Sequence, residues 1–191
     1  MKTKQITIKK RIQNKGFTLV ELLVSISIFS LIVSAMSGAF VSTIRAQRKS
    51  VAFQQLLEQT SYLEEYMSRA IRMARKDLSG DCLTTAGAKQ NFETNLDKDR
   101  IRFLNYQGIC QEFFLEADQI KERKSTDGTA ANFQIPLPLT SDDLQVESFK
   151  IGPSDSWDQN DNEQPRVTLF LDIKGAGSKP EQQPEIKIQT T

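Results

Sequence analysis

The chain has 191 residues, with 25 Lys and Arg against 24 Asp and Glu, and 38% of its residues are hydrophobic. This composition is typical of a globular protein with room for one domain and an additional segment. The sequence contains no histidine, which excludes Ser-His-Asp hydrolases, Cys-His enzymes and histidine-ligated zinc sites.

Residues 1–16 form a basic leader that holds six Lys or Arg residues and no acidic one. Residues 17–191 therefore carry 19 basic and 24 acidic residues, a net charge of −5. A folded nucleic-acid-binding domain is usually basic, so we expect no nucleic-acid binding.

Residues 22–44 form an apolar run of 23 residues without a charge. A helix of this length covers about 34 Å, enough to cross a hydrocarbon layer of roughly 30 Å. The basic leader predicts a cytoplasmic N-terminus. The basic residues that directly follow the span and oppose this orientation are only Arg45, Arg48 and Lys49. The chain after the span is then expected outside the cytoplasm.

Two other interpretations of this run are possible. A buried core helix of a soluble protein seldom runs so long without a charge. A secretory signal cleaved near Ala35-Met36-Ser37 would carry Glu21 inside its apolar region, where a carboxylate is costly, and the apolar run continues past that site.

The junction before the span reads Asn14-Lys15-Gly16-Phe17-Thr18-Leu19-Val20-Glu21-Leu22-Leu23-Val24. It resembles the N-termini of type IV pilins and type II secretion pseudopilins in four features in register: a basic leader ending in Gly, a following Phe, a Glu five residues into the shortened chain, and an apolar helix. The resemblance implies that a membrane prepilin peptidase cuts after Gly16 and methylates the new amine of Phe17.

Glu21 places a carboxylate at the start of the apolar helix, where it needs a partner or must be neutralised. We expect the isolated chain to offer none. The resemblance implies that Glu21 pairs with the N-terminal amine of a neighbouring subunit during filament assembly. The alternative interpretation is a side chain that extends toward the cytoplasmic lipid headgroups.

After the span, residues 45–78 are predicted to continue the helix as an amphipathic segment that ends before Ser79-Gly80. The stripe expected to be buried is Leu56, Leu63, Met67, Ala70, Ala74 and Leu78. The basic residues near the predicted end are interpreted as a solvated face beside the negative end of the helix dipole rather than a phosphate site. They are Arg69, Arg72, Arg75 and Lys76.

Residues 79–191 are predicted to form a head of antiparallel strands, since their apolar pattern approaches a period of two. A hairpin is expected from 101–106 and 110–115 around Gln107-Gly108-Ile109, and further strands at 144–151, 166–173 and 185–190. An antiparallel sheet needs a cover for its apolar face, and the amphipathic helix is available. The predicted fold class is α+β: a long N-terminal α-helix packed on an antiparallel β-sheet head.

Cys82 and Cys110 are the only cysteines, and both lie in the part expected outside the cytoplasm, where disulfides persist. A disulfide is predicted, with two unpaired buried thiols as the alternative. The acidic segment 155–163 has enough oxygen ligands for calcium but lacks the EF-hand spacing, so a solvated loop is favoured. No metal or other cofactor is expected.

The sequence therefore predicts a non-enzymatic minor pseudopilin or minor pilin that assembles into, or primes the tip of, a type II secretion pseudopilus or a type IV pilus. Short motifs at 67–75, 139–144 and 188–191 resemble a J-type (PilW-like) minor subunit, and the resemblance leaves open whether the last strand is complete. The expected location is the inner membrane, as a single-pass protein contacting lipid, prepilin peptidase and other pilin-like subunits.

The sequence is also compared with what two other functions would require of the head. A DNA-uptake minor pilin should present clustered Lys and Arg with aromatic residues on its head, and no such cluster stands out in residues 80–191. A membrane-anchored periplasmic enzyme would have only carboxylate chemistry available, and no diagnostic pair is visible.

Overall fold

The computed structural model describes residues 16–86, 88–152 and 165–191. The chain divides after Ile44 into two compact units, 1–44 and 45–191. Helix α1 (Leu19–Arg72) contributes residues to both units. The leader before Gly16 and the acidic segment 155–163 lie outside the described residues.

The first unit contains an apolar stretch of α1 that is long enough to cross a membrane by length and composition. Every residue from 16 to 43 is exposed. The hydroxyls of five serines donate to carbonyls one turn earlier, at 2.7–2.9 Å, so each of these hydroxyls has a partner without water. They are Ser25, Ser27, Ser30, Ser34 and Ser37.

The second unit begins with the amphipathic part of α1. Its buried residues are spaced by four, three, four and four, which places them on one face of the helix. They are Leu56, Thr60, Leu63, Met67 and Ile71. Three members of the predicted stripe are thereby confirmed, and Ala70 and Ala74 pack partly buried against the core.

The end of α1 differs from the prediction. The helix ends at Arg72, six residues before Leu78, which is 73% exposed. Two backbone amides just after the helix bond to the head instead: Arg75 N–H donates to Leu104 O, and Asp77 N–H donates to Gln90 O, both at 2.8 Å. These bonds hold the chain in an extended conformation that α1 cannot continue into.

The head contains two antiparallel sheets. In the larger sheet the strands are ordered β1-β2-β3-β4-β5, and in the smaller one β6-β7-β8. The strands are β1 (Phe92–Thr94), β2 (Arg100–Leu104), β3 (Cys110–Glu116), β4 (Gln119–Lys124), β5 (Leu137–Pro138), β6 (Leu144–Ile151), β7 (Leu169–Gly175) and β8 (Glu185–Thr190).

The predicted hairpin is confirmed as β2–β3, with Leu104 opposite Cys110. Its turn is closed by the Asn105 side chain, whose Oδ1 accepts the N–H groups of Gln107 and Ile109 at 3.0 Å each, while Gly108 takes a positive φ of 78°. Strands β6 and β8 have the predicted bounds. Strand β7 begins three residues later than predicted, at Leu169.

The two sheets join at β6. Val146 N–H donates to Asp118 O in the β3–β4 turn, and Ile151 N–H donates to Lys98 O in the β1–β2 turn, both at 2.8 Å. Apolar side chains of both sheets and of α1 form one core, whose largest fully buried members are Phe103, Phe113 and Phe149. The protein therefore has an α+β, pilin-like fold in which α1 packs on an antiparallel head, as predicted.

Candidate assembly site

The predicted processing junction is open to solvent. Gly16 and Phe17 are exposed, Phe17 to 77%. A Cβ built on Gly16 meets no heavy atom within 4 Å. Packing within the described chain therefore does not require glycine at this position, and any requirement for it must come from an external partner.

Glu21 has an intrachain partner, contrary to the sequence-based expectation that the isolated chain offers none. Its Oε2 accepts hydrogen bonds from Thr18 Oγ1 at 3.2 Å and from Thr18 N at 3.3 Å, and its own N–H donates to Thr18 Oγ1 at 3.3 Å. This reciprocal arrangement is a capping box at the start of α1. Sequence reasoning missed Thr18, although the pattern Thr-x-x-Glu before an apolar run is its recognised signature.

The amphipathic part of α1 carries a partly buried polar anchor among its apolar contacts. Tyr66 Oη donates at 2.7 Å to Oε1 of Glu122 on β4, and Lys124 Nζ bonds to Tyr66 Oη at 3.2 Å and to Glu122 Oε2 at 3.2 Å. Burial and the Glu122 bond raise the pKa of Tyr66. Burial alone would lower the pKa of Lys124, but Tyr66 and Glu122 outweigh it and raise that pKa. The anchor fixes the position of α1 on β4.

Cys82 and Cys110 form a disulfide, as predicted, with their Cα atoms 5.4 Å apart. Both are fully buried in a small second cluster with Leu83. The bond joins the connection after α1 to the first residue of β3. On the chain-entropy account, closing a loop of this length stabilises the fold by about 3–4 kcal/mol.

Asp77 organises the same connection. Its Oδ1 accepts from the N–H groups of Ser79 and Gly80. Its Oδ2 accepts from the N–H groups of Cys82 and Leu83, and both of these bonds are 2.9 Å long. Burial alone would raise the pKa of Asp77, but these backbone donors outweigh it and hold the pKa below its usual value. Sequence reasoning did not single out this residue, because the predicted helix extended through it to Leu78.

The face of the larger sheet opposite α1 carries a buried ion network that the sequence did not reveal. Glu112 is fully buried, and its two oxygens accept from Arg102 Nε at 2.8 Å and Arg123 Nε at 2.6 Å. Arg102 also pairs with Glu93 at 3.2 Å, and both guanidinium groups lie over the Phe133 ring. The two positive and two negative charges balance, which makes this network structural.

Three carboxylates on the smaller sheet also come together: Glu147, Asp172 and Glu185 have oxygens within 4.8 Å of one another. Lysines are interleaved with them. Lys174 pairs with Glu147, and Lys187 pairs at 2.9 Å with both Asp172 and Glu185, which raises the pKa of Lys187. The two lysines offset two of the three carboxylate charges from within the chain.

The basic residues at the end of α1 behave as a solvated face. Arg69 pairs with exposed Glu65 at 3.0 Å, and Arg72 Nε bonds to Ser68 O at 3.3 Å. Both arginines are exposed.

Comparison with known proteins finds a family match for the N-terminal segment. Residues 11–37 match the family described as "Prokaryotic N-terminal methylation motif". The matched range contains Gly16, Phe17, Thr18 and Glu21. Neither curated proteins nor solved structures give a significant match. The motif is the prepilin peptidase signal of pilins and supports the pilin family, whose members are generally structural.

Proposed function

We propose that this protein is a minor pseudopilin or minor pilin that assembles into, or primes the tip of, a type II secretion pseudopilus or type IV pilus, without an enzymatic activity of its own. The observation that carries the proposal is the methylation motif over residues 11–37, followed by a fully exposed apolar helix and a pilin-like head. The J-type (PilW-like) subtype is the finer form of the same proposal.

In this proposal the prepilin peptidase cuts between Gly16 and Phe17 and methylates the Phe17 amine. The exposure of both residues supports access for the enzyme. The mature chain stays in the inner membrane as a single-pass protein with its head outside the cytoplasm. Neighbouring pilin-like subunits contact it through α1.

Glu21 is proposed as the assembly residue. The capping box holds its carboxylate at the helix start, one turn from Phe17, without burying it. A neighbouring subunit's amine offers a full positive charge where Thr18 offers two neutral donors, so it adds a Coulombic attraction to the hydrogen bond. Assembly then exchanges a weak internal partner for a stronger external one.

Processing is tested by intact mass of the membrane-extracted protein. We expect loss of residues 1–16 and one added methyl group. Gly16→Val should abolish both changes, whereas Gly38→Val should leave both in place. The two variants are matched because a Cβ meets nothing within 4 Å at either site. A mature chain that starts near Gly38 would instead indicate a secretory signal and overturn the proposal.

Assembly is tested with Glu21→Ala, which a passive anchor should tolerate because it removes a costly charge from the apolar helix. We expect normal processing but loss of crosslinks to neighbouring pilin-like subunits and of secretion or piliation. Ser25→Ala, one turn further along, is the matched control. Wild-type crosslinking and function in Glu21→Ala would show that assembly does not use this carboxylate.

A further inference from the structure

A groove with a volume of about 520 Å³ opens on the head where the end of α1 meets the start of β1, the residues before β7 and the end of β8. This volume lies within the range of ligand-binding sites, roughly 300–1,000 Å³. Four apolar side chains, each at most 8% exposed, form its floor: Ile71, Phe92, Val167 and Leu169. Exposed Arg72 and Arg166 line it as well, and no lining residue is acidic. The groove therefore combines an apolar floor with two positive charges.

The charge of this groove differs from that of the buried ion network on the larger sheet. There, Arg102 and Arg123 are paired with glutamates. Arg166 makes no hydrogen bond or ion pair with another residue that the structure describes, and Arg72 Nε donates to Ser68 O on its own helix at 3.3 Å. A guanidinium group offers a planar fork of N–H donors that matches a carboxylate. The groove is therefore suited to an occupant with a carboxylate next to an apolar group.

The strands at the groove favour a peptide as this occupant. Phe92 is the first residue of β1 and Thr190 the last of β8, and both line the groove. Among the described strands, β1 and β8 are each the outermost strand of their sheet. An outermost strand leaves one row of backbone N–H and C=O groups outside the ladder, and an extended peptide can bond to such a row. A carboxylate on a peptide thus finds both side-chain and backbone partners here.

Two other classes of anionic partner fit less well. Ser68, on the helix wall of the groove, lies 23 residues after Arg45, about 35 Å along α1. Headgroups extend only about 5–8 Å beyond the hydrocarbon layer, so a bilayer that ends near Arg45 does not reach the groove. A single-stranded nucleic acid stacks its bases on aromatic faces, and Phe92, the aromatic lining residue, is only 3% exposed.

We propose that this groove binds a peptide segment of another protein in which a carboxylate lies beside an apolar side chain. The carboxylate pairs with Arg166 and Arg72, and the apolar side chain covers the floor. The peptide backbone bonds to the outer side of β1 or β8. The inference goes beyond the proposed function, which assigns no ligand to the head, and it does not depend on filament assembly.

Binding is measured by titration calorimetry on the full-length protein in detergent, with empty micelles as the blank. One probe is the peptide Gly-Ser-Gly-Ser-Phe-Leu with a free C-terminal carboxylate, compared with its C-terminal amide. The other is amide-capped Gly-Ser-Phe-Asp-Gly-Ser, compared with the same peptide carrying Asn in place of Asp. We expect at least one carboxylate peptide to bind about fivefold or more tightly than its uncharged counterpart. The pair with the larger ratio identifies whether the carboxylate is a chain end or a side chain.

Two variants of the protein test the charge and the floor separately. Arg166→Gln should weaken the carboxylate peptide about fivefold or more and change the uncharged peptide by less than about twofold. Arg75→Gln, an exposed arginine that does not line the groove, is its matched control. Ser68→Trp should weaken both peptides about tenfold, because the indole ring occupies the groove. Ser61→Trp, exposed two turns earlier on α1, is its matched control, and equal urea midpoints of the two Trp variants show that the fold is kept.

Three results would overturn the inference. The first is equal affinity for the carboxylate and uncharged peptides, or no effect of Arg166→Gln. The second is a gain of about tenfold in peptide affinity when the four acidic residues of 155–163 are replaced by their amides, which would assign the groove to the chain's own acidic segment. The third is displacement of the peptide by oligothymidylate in the wild type but not in Arg166→Gln, which would assign the groove to nucleic acid. None of these results involves Gly16 processing, so the proposed function is tested separately.

Discussion

Replacing Asp77 with Asn tests how the connection between α1 and β1 is held. The Asp77 side chain is only 2% exposed, and its carboxylate accepts four backbone N–H groups and the Ser79 hydroxyl. An amide keeps one acceptor oxygen and turns an NH2 group toward two of the donors. Whichever way the amide turns, two backbone donors lose their acceptor, and the N–H groups of Cys82 and Leu83 are buried and cannot gain water in exchange.

The expected loss follows from those two donors. A buried donor left without a partner costs about 1–3 kcal/mol, so Asp77→Asn should lower the free energy of unfolding by roughly 2–6 kcal/mol. That is a large part of the stability of an ordinary domain, which is about 5–15 kcal/mol. The assay is urea unfolding of the detergent-solubilised protein at pH 7, with Asp81→Asn, an exposed aspartate nearby, as the control.

The pH dependence gives an independent test of the same reasoning. Because the folded pKa of Asp77 lies below its unfolded value of about 3.9, its contribution is fully present above that pH and is lost as the pH falls through the folded pKa. The stability gap between wild type and Asp77→Asn should therefore narrow below about pH 4. Equal urea midpoints at pH 7, or a gap that is unchanged down to pH 2, would refute the argument.

Three further predictions concern the anchor, the disulfide and the helix start. Tyr66→Phe should lower the free energy of unfolding in urea by about 1.5–3 kcal/mol, because it removes a hydrogen bond to the buried Glu122 carboxylate. The control Tyr62→Phe, on an exposed ring, should have no measurable effect. Mass mapping of unreduced protein should find Cys82 joined to Cys110, and quantitative alkylation of both thiols would contradict this. Thr18→Val should accelerate amide hydrogen exchange at residues 19–21, whereas Thr18→Ser should preserve the wild-type exchange rates. Equal exchange rates in the two variants would mean that the capping box does not protect the helix start.

The elements that the sequence predicted well are those whose signals are local. The heptad spacing of Leu56 and Leu63 fixes the buried face of α1, and Gly108 marks the β2–β3 turn. Strand β8 alternates along its length, β6 alternates on either side of a bulge between Val146 and Ser148, and both have the predicted bounds. In each case the periodicity or the turn residue belongs to the element itself.

The elements that the sequence missed depend on distant contacts. Strand β4 reads Gln-Ile-Lys-Glu-Arg-Lys, and the turn before it uses Ala117 and Asp118 at positive φ instead of glycine or asparagine. Its charged residues lie in the sheet because Glu122 meets Tyr66 of α1 and Arg123 meets Glu112 of β3. No pattern within the strand indicates those partners.

The helix end illustrates the same limit. Residues 73–78 continue the apolar spacing of α1, so local periodicity predicts helix there. The amides of Arg75 and Asp77 instead bond to Leu104 of β2 and to Gln90, two residues before β1. Tertiary hydrogen bonds override a weak helical preference at a chain end.

The N-terminal motif and the head are under different physical constraints, which explains why the family match ends at residue 37 while the pilin-like fold continues. In the proposed function, residues 14–24 must fit a processing enzyme and carry one carboxylate at the start of an apolar helix, so few residue types serve at each position. The head needs only an apolar sheet face that covers the stripe from Leu56 to Ile71, and many sequences satisfy that requirement. Differences between secretion, pilus and DNA-uptake systems should therefore be encoded in surfaces outside the motif.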